Sequence, residues 1–200
     1  MYKIVGFPRT RAMRVMWLLE ELGEAYEIDP APPQSETVRD LTPDGKVPIL
    51  IEDGTAITES VAICTYIADK HGRFTFPAGT LERARQDSFT QFGVDVLEGA
   101  LWTSAKHSFV LPEGLRAPAV KEACRFEFAQ GLKSLETRLG DGPYVMGDTF
   151  TIADIIIGHC SGWAFVAKFD LPKEGPVHDY FKRLRERPGF KAMKQKAEAA

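Results

Sequence analysis

Two short stretches combine residue types that can hold a small peptide. The first is GKVPIL, residues 45–50. Pro48 stands at the mouth of an apolar strand, where it removes a ladder donor. A proline in that place, after the flexible run Asp44-Gly45-Lys46, is a candidate for a cis peptide bond. A cis Val47–Pro48 bond would turn the Val47 N–H and C=O outward as an unpaired edge, open to an extended peptide by strand addition. The second stretch is ITES, Ile57 to Ser60, at the opening of a helical pattern. The free amides of a helix start, the Ser60 hydroxyl and the positive end of the helix dipole suit a carboxylate. Glu59 beside them can accept from an ammonium group. Taken singly, Pro48 reads as an ordinary turn proline and Ser60 as an ordinary N-cap. Taken together, a backbone edge next to a site for an α-amino-acid head describes a γ-glutamyl peptide.

These residues need a scaffold, and the pattern around them supplies one. YKIVGF reads as a first strand. In RAMRVMWLLEELG, Val15, Leu18, Leu19 and Leu22 recur at helical spacing, and Gly23 ends the helix as a C′ glycine. AYEIDP is a short second strand. The segment from Pro30 to Gly45 is polar and proline-rich, with one helical turn expected near Ser35 to Leu41. VPILIED is the third strand, Asp53-Gly54-Thr55 a tight hairpin, AIT a fourth strand, and ESVAICTYIADKHG a helix stopped by Gly72. A βαβ unit followed by ββα makes one small mixed sheet covered by helices.

The pattern changes after the proline- and glycine-containing loop RFTFPAGT, residues 73–80. Helices are expected at about 80–108, 116–139, 151–168 and 176–187, with a short one after Pro188. The chain thus reads as α+β: a βαβ-ββα domain over residues 1–77, then an all-α helical bundle over 81–200. The helix near 151 has a marked start. Thr151 and Asp154 form a capping-box pair, with Phe150 and Ile155 as a hydrophobic staple. Asp154 is therefore read as a folding residue.

With 200 residues, 26% of them charged and a net charge of −3, nothing points to nucleic acid. Three well-separated cysteines, Cys64, Cys124 and Cys160, argue against a disulfide framework and for a reducing compartment. Each falls in apolar helical company and reads as a small core residue. The start MYKIVGF does not resemble a secretory signal. The apolar run from Ile152 to Ala167 is short for a membrane span and carries Asp154 and His159. No metal spacing is found among His71, His107, His159 and His178. A cytoplasmic protein without membrane or nucleic-acid partners is expected.

The chain resembles the cytosolic glutathione S-transferase family. RVMWLLEELG at 14–23, TPDGKVPIL at 42–50, ITESVAICTYIADKHG at 57–72, FTIAD at 150–154 and RPGFKAM at 187–193 carry the resemblance along nearly the whole chain. It implies a thioredoxin-like N-terminal domain, an all-α C-terminal domain, glutathione as co-substrate and a homodimer. It also implies that Val47 binds the cysteinyl backbone, that Pro48 is cis, that Glu59 and Ser60 hold the γ-glutamyl head, and that Lys46 approaches the glycine carboxylate. The family activates the thiol with a Tyr, Ser or Cys after the first strand. Here the loop is GFPRTRAMRV, and Thr10 stands where many bacterial relatives carry serine. Thr10 is the candidate activator; a backbone amide or Arg11 is the alternative, with Thr10 then only a helix cap.

A pocket for a small hydrophobic electrophile is expected along the long helix near 80–108, from Trp102, Lys106 and Phe109, with Phe7 of the strand-one loop. The implied activity is conjugation of glutathione to small electrophiles or glutathione-dependent peroxide reduction. The competing expectation is a binding or assembly module of the same fold with little turnover.

Overall fold

A computed structural model describes residues 1–199, which divide into two compact units. One comprises Met1–Pro77 and the segment from Arg185 on; the other runs from Ala78 to Leu184.

The first unit opens with β1 (Tyr2–Val5), α1 (Ala12–Leu22), β2 (Tyr26–Asp29) and α2 (Glu36–Leu41). It continues through β3 (Ile49–Glu52), β4 (Thr55–Thr58) and α3 (Ser60–His71). The sheet order is β2-β1-β3-β4, with β1 and β2 parallel and the other pairs antiparallel. This is the expected βαβ-ββα order. The apolar stripe of α1 is buried as its spacing required, with Val15, Leu18 and Leu19 fully enclosed. Gly23 ends that helix in the left-handed region at φ 78°, where a Cβ would be strained. Asp53 and Gly54 both take positive φ, the two-residue turn that matches strand twist. The third strand starts at Ile49, two residues later than its sequence suggests, because the ladder to β1 begins with Ile49 opposite Val5.

The second unit is helical. Thr80 caps α4 (Leu81–Phe92) by accepting from the Arg83 amide at 3.2 Å. The helix then passes through a π segment at Gly93–Glu98, α5 (Gly99–Ala105) and a second π segment at Lys106–Val110. A 3₁₀ turn at Glu113–Leu115 leads to α6 (Val120–Leu139), α7 (Ile152–Val166) and α8 (Pro176–Glu186). The start of α7 is built on Asp154. Its buried carboxylate accepts from the amides of Thr151 at 2.8 Å and Val145 at 3.1 Å, and from the Tyr180 hydroxyl at 2.9 Å. Burial pushes that carboxyl up to about 6, against the pull of these donors. Phe150 and Ile155, the staple pair, are both buried.

The sequence-based division placed residues 81–200 in the helical bundle. In the structure α9 (Pro188–Ala199) packs on α1 and belongs to the first unit. Phe190 meets the Trp17 ring edge-on, with centroids 4.9 Å apart. Arg187 donates twice to Glu21, from Nε and Nη2, each at 2.8 Å. Gly189 lies where a Cβ would come within 2.6 Å of the Glu21 side chain. An amphipathic pattern reveals that a helix has a buried face, but not which body covers it.

The Arg187–Glu21 pair gives a stability prediction. The Glu21 side chain is only 6% exposed, so removing Arg187 takes the cation from an enclosed carboxylate and leaves it the Trp17 indole N–H at 2.9 Å. Arg187→Ala should lower the unfolding free energy by about 3 kcal/mol. The double variant Glu21→Met with Arg187→Met should recover most of that loss, because no buried charge remains. Urea unfolding of the three proteins measures both effects; equal stability of wild type and Arg187→Ala would show that the pair is inert.

Candidate active site

Strand register brings the sequence-predicted binding residues to one end of the sheet. Ile49 pairs with Thr58 on β4 and with Val5 on β1. The next residues outward are Pro48, Glu59 and Gly6. Gly6 has φ 146°, and a Cβ there would stand 2.8 Å from the Cβ of Val47. Only glycine lets the strand-one loop pass this close. Beyond the strand ends, the Gly6 and Phe7 amides donate to the carbonyls of Asp29 at 2.8 Å and Ala31 at 3.0 Å. This pairing fixes the path of the loop that carries Thr10.

The Val47–Pro48 bond is cis, as expected from the proline's position. Pro48 is buried, Val47 half-buried and Lys46 exposed. The turn before them looks flexible in sequence, yet Gln34 clamps it. The Gln34 amide donates to the Gly45 carbonyl at 2.8 Å, and Nε2 reaches the carbonyls of Asp44 at 2.9 Å and Gly45 at 3.1 Å. Arg39 in turn donates to Gln34 Oε1 at 3.0 Å. The half-helical connection at 30–45 therefore works as a brace for Lys46 and Val47.

Glu59 makes the whole turn from β4 into α3. It has φ 67° and ψ 112°, a conformation that costs a non-glycine residue about 1–3 kcal/mol. Its carbonyl accepts the first helical bond, from Ile63 at 2.9 Å, while its side chain makes no cap bond and is exposed. Ser60 is the first residue of α3 and is buried. Its Oγ accepts from Nη1 of Arg14 at 3.1 Å, joining the first turns of α1 and α3. Arg14 is itself only 1% exposed.

Thr10 lies in the turn before α1. Its hydroxyl donates to the Phe7 carbonyl at 2.7 Å and accepts from the Ala12 amide at 3.2 Å. In this structure it therefore caps the helix start. Arg11 follows at the N-cap with helical backbone angles and is half-buried.

All three cysteines are buried. Burial pushes the Cys64 thiol up to about 12, with only partial opposition from the nearby Arg14 charge. The Cys160 thiol contacts the Gly93 carbonyl at 3.6 Å. Among the described residues, no group of three or more His, Cys, Asp or Glu could hold a metal ion. Among the same residues, no helix is long and apolar enough to cross a membrane.

Phe7 is in the first unit and 42% exposed. The other pocket candidates lie in the second unit. Trp102 on α5 is half-buried and meets Trp163 edge-on at 6.4 Å. Lys106 and Phe109 fall in the second π segment, where Phe109 is 70% exposed. Sequence reasoning missed Arg14, Gly6, Gln34 and Trp163. Arg14 left a signal: it stands four residues before Leu18, on the apolar stripe of α1, where a charge needs a reason.

Glutathione S-transferase N-terminal domains match this chain over residues 5–75, and glutathione S-transferase C-terminal domains match it over 118–188. Glutathione transferase GST 23 of Zea mays is 31% identical over 167 residues, covering 80% of this chain and 71% of its own. Glutathione S-transferase GstA of Escherichia coli O157:H7 is 26% identical over 151 residues, 74% of this chain and 72% of its own. A glutathione transferase structure from Methylococcus capsulatus aligns over 100% of both chains with a TM-score of 0.84 at 25% identity. The fold is also that of URE2P8 from Phanerochaete chrysosporium, solved with oxidized glutathione, at TM-score 0.84 and 22% identity over 99% of this chain and 95% of that one. With its two domains matched in order and its sheet and helices in the same arrangement, the chain belongs to the glutathione S-transferase family.

Proposed function

We propose that this protein is a glutathione transferase whose first unit binds reduced glutathione and activates its thiol. The observation that carries the reading is the convergence of Val47–Pro48 and Glu59–Ser60 at one sheet end, beside the N-terminal turns of α1 and α3. In this reading the Val47 backbone pairs with the cysteinyl residue as an added strand. The α3 amides and the Ser60 hydroxyl take the γ-glutamyl carboxylate. Glu59, exposed and making no cap bond, takes the ammonium, and Lys46 takes the glycine carboxylate. Glutathione is a co-substrate, consumed when its sulfur attacks a small hydrophobic electrophile or reduces a peroxide. On the first unit, Phe7 is the proposed contact of that second substrate. A cytoplasmic homodimer fits the family.

Thiol activation falls to Thr10 in this reading, with Arg11 and the first α1 amides as supporting positive charge. To reach a sulfur anion, the Thr10 proton must leave the Phe7 carbonyl. A hydrogen bond to an anion contributes roughly 1.5–3 kcal/mol, whereas the neutral bond it replaces contributes roughly 1 kcal/mol. The net gain is about 1 kcal/mol, somewhat under one pKa unit. That shift raises the thiolate fraction of a thiol near ~8.5 without fixing it fully. The engaged hydroxyl also favours a second reading, in which the protein binds glutathione but turns it over poorly. A panel of small electrophiles and peroxides, assayed on protein retained by immobilised glutathione, separates the two.

Calorimetry tests the binding site. Glutathione should bind at least about tenfold more tightly than cysteinylglycine, which lacks the γ-glutamyl head. Equal affinity would remove Glu59 and Ser60 from the site.

Thr10→Ala should raise the thiol pKa of bound glutathione by up to about one unit, while Thr10→Ser should leave it unchanged. Ultraviolet thiolate absorbance against pH measures this. If all three proteins titrate together, Thr10 is only a cap, and Arg11 or the backbone amides activate the sulfur.

A further inference from the structure

We infer that the stretch from Lys106 to Lys121 is a membrane-docking loop, which inserts Phe109, Val110 and Leu115 shallowly into a bilayer carrying anionic lipid. This role is independent of the glutathione reading and concerns the second unit alone. Exposed loops are usually polar, and an exposed apolar run marks an interaction surface. Here FVLPEGLRAPAV, residues 109–120, holds one acid, Glu113, and one base, Arg116, and is otherwise apolar or glycine. Phe109 is 70% exposed, Leu115 67% and Val110 46%. Pro112, Ala117, Pro118 and Ala119 are exposed with them.

The loop is folded so that its backbone needs little water. Phe109 and Val110 close the second π segment, and the Leu111 amide donates back to the Lys106 carbonyl at 3.0 Å. Arg116 gathers the strand that follows. Its Nε donates to the Leu111 carbonyl at 2.8 Å and its Nη2 to the Phe109 carbonyl at 3.3 Å. The Leu115 and Arg116 amides donate to the carbonyls of Pro112 at 2.9 Å and Glu113 at 3.1 Å. The Ala117 amide donates to Nδ1 of His107 at 3.1 Å. Pro112 and Pro118 carry no amide hydrogen to satisfy. Much of the polar main chain is thus paired within the loop, while apolar side chains stay exposed. That combination suits an acyl boundary, where an unpaired backbone group is costly.

Charge selects the surface. Lys106, Arg116 and Lys121 outnumber Glu113 across residues 106–121, and Glu122 follows in the first turn of α6. The whole chain carries a net charge of −3, so this excess of base is local. Basic side chains around an apolar tip add attraction for an anionic leaflet to the gain from insertion. A protein partner fits less well. A stable interface takes about 20–30 residues a side, whereas this loop exposes seven apolar ones. Reversible docking of this kind needs no spanning helix.

Co-sedimentation with vesicles of phosphatidylcholine, with and without phosphatidylglycerol, tests the inference. The wild type should bind the anionic vesicles at low salt at least about tenfold more tightly than the neutral ones, and sodium chloride should weaken that binding. Val110→Ser combined with Leu115→Ser should weaken it about tenfold or more, and Lys121→Gln about fivefold. The native cysteines are all enclosed, so Leu115→Cys takes an environment-sensitive fluorophore at that position alone. Its emission should brighten on anionic vesicles, while the same label at Glu136→Cys, on an exposed position of α6, should not. The inference is overturned by no binding to anionic vesicles, by equal binding to neutral ones, by indifference to the double substitution, or by no brightening at position 115. Self-association seen by light scattering and abolished by the double substitution would also overturn it, in favour of an interface between copies.

Discussion

The pairing of Ile49 with Thr58 is the constraint on which the site depends. It leaves Pro48 and Glu59 as neighbours just past the last rung, with Gly6 alongside through the Val5–Ile49 pair. A slip of one residue would turn each buried side chain of these short strands outward. The register is therefore held by the core beneath it, where Val5, Ile49 and Val38 pack together. From this rung the chain must enter α3 at once, and Glu59 makes that turn alone in a strained conformation. The strain persists because both sides are fixed: the β3–β4 ladder before it, and the buried α3 face with the Arg14–Ser60 bond after it. The γ-glutamyl site proposed on this turn would be preorganised, since little would remain to be ordered when the ligand arrives.

What could be read beforehand followed the range of each interaction. Strands, helices, the Gly23 stop and the Asp53-Gly54 hairpin depend on neighbours a few residues away, and each was legible. The Val47–Pro48 and Glu59–Ser60 stretches were legible for the same reason. The hydrogen bond from Arg14 to Ser60 joins positions 46 apart, and the Arg187–Glu21 pair positions 166 apart. No local pattern announces such partners. The placement of α9 on α1 was missed on these grounds, as was the clamp of Gln34 on the Asp44–Gly45 turn. The two π segments in the Leu81–Val110 stretch escaped because apolar spacing does not distinguish one inserted residue from a continuous α-helix.

The distribution of polar groups divides structural from chemical roles. Asp154 is surrounded by donors from three places in the second unit, so its carboxylate works for the fold. The cysteines are enclosed and offer no exposed thiolate. Glu59 and Lys46 remain exposed at the sheet end, with the Val47 backbone ahead of the first rung. Thr10 stands between the two roles, because its hydroxyl both caps α1 and lies where a bound thiol is expected. The chemistry of the protein is that of its ligand's sulfur, and its own residues serve to bind, orient and stabilise a charge.

The central claim is that glutathione lies across Val47 and the start of α3. The most direct measurement is an amide chemical-shift titration of the nitrogen-15-labelled protein with reduced glutathione. The expected result is saturable movement centred on the amides of Val47, Glu59 and Ser60, with Gly6 and Phe7 following. Saturable shifts centred elsewhere, with those amides unmoved, would contradict it.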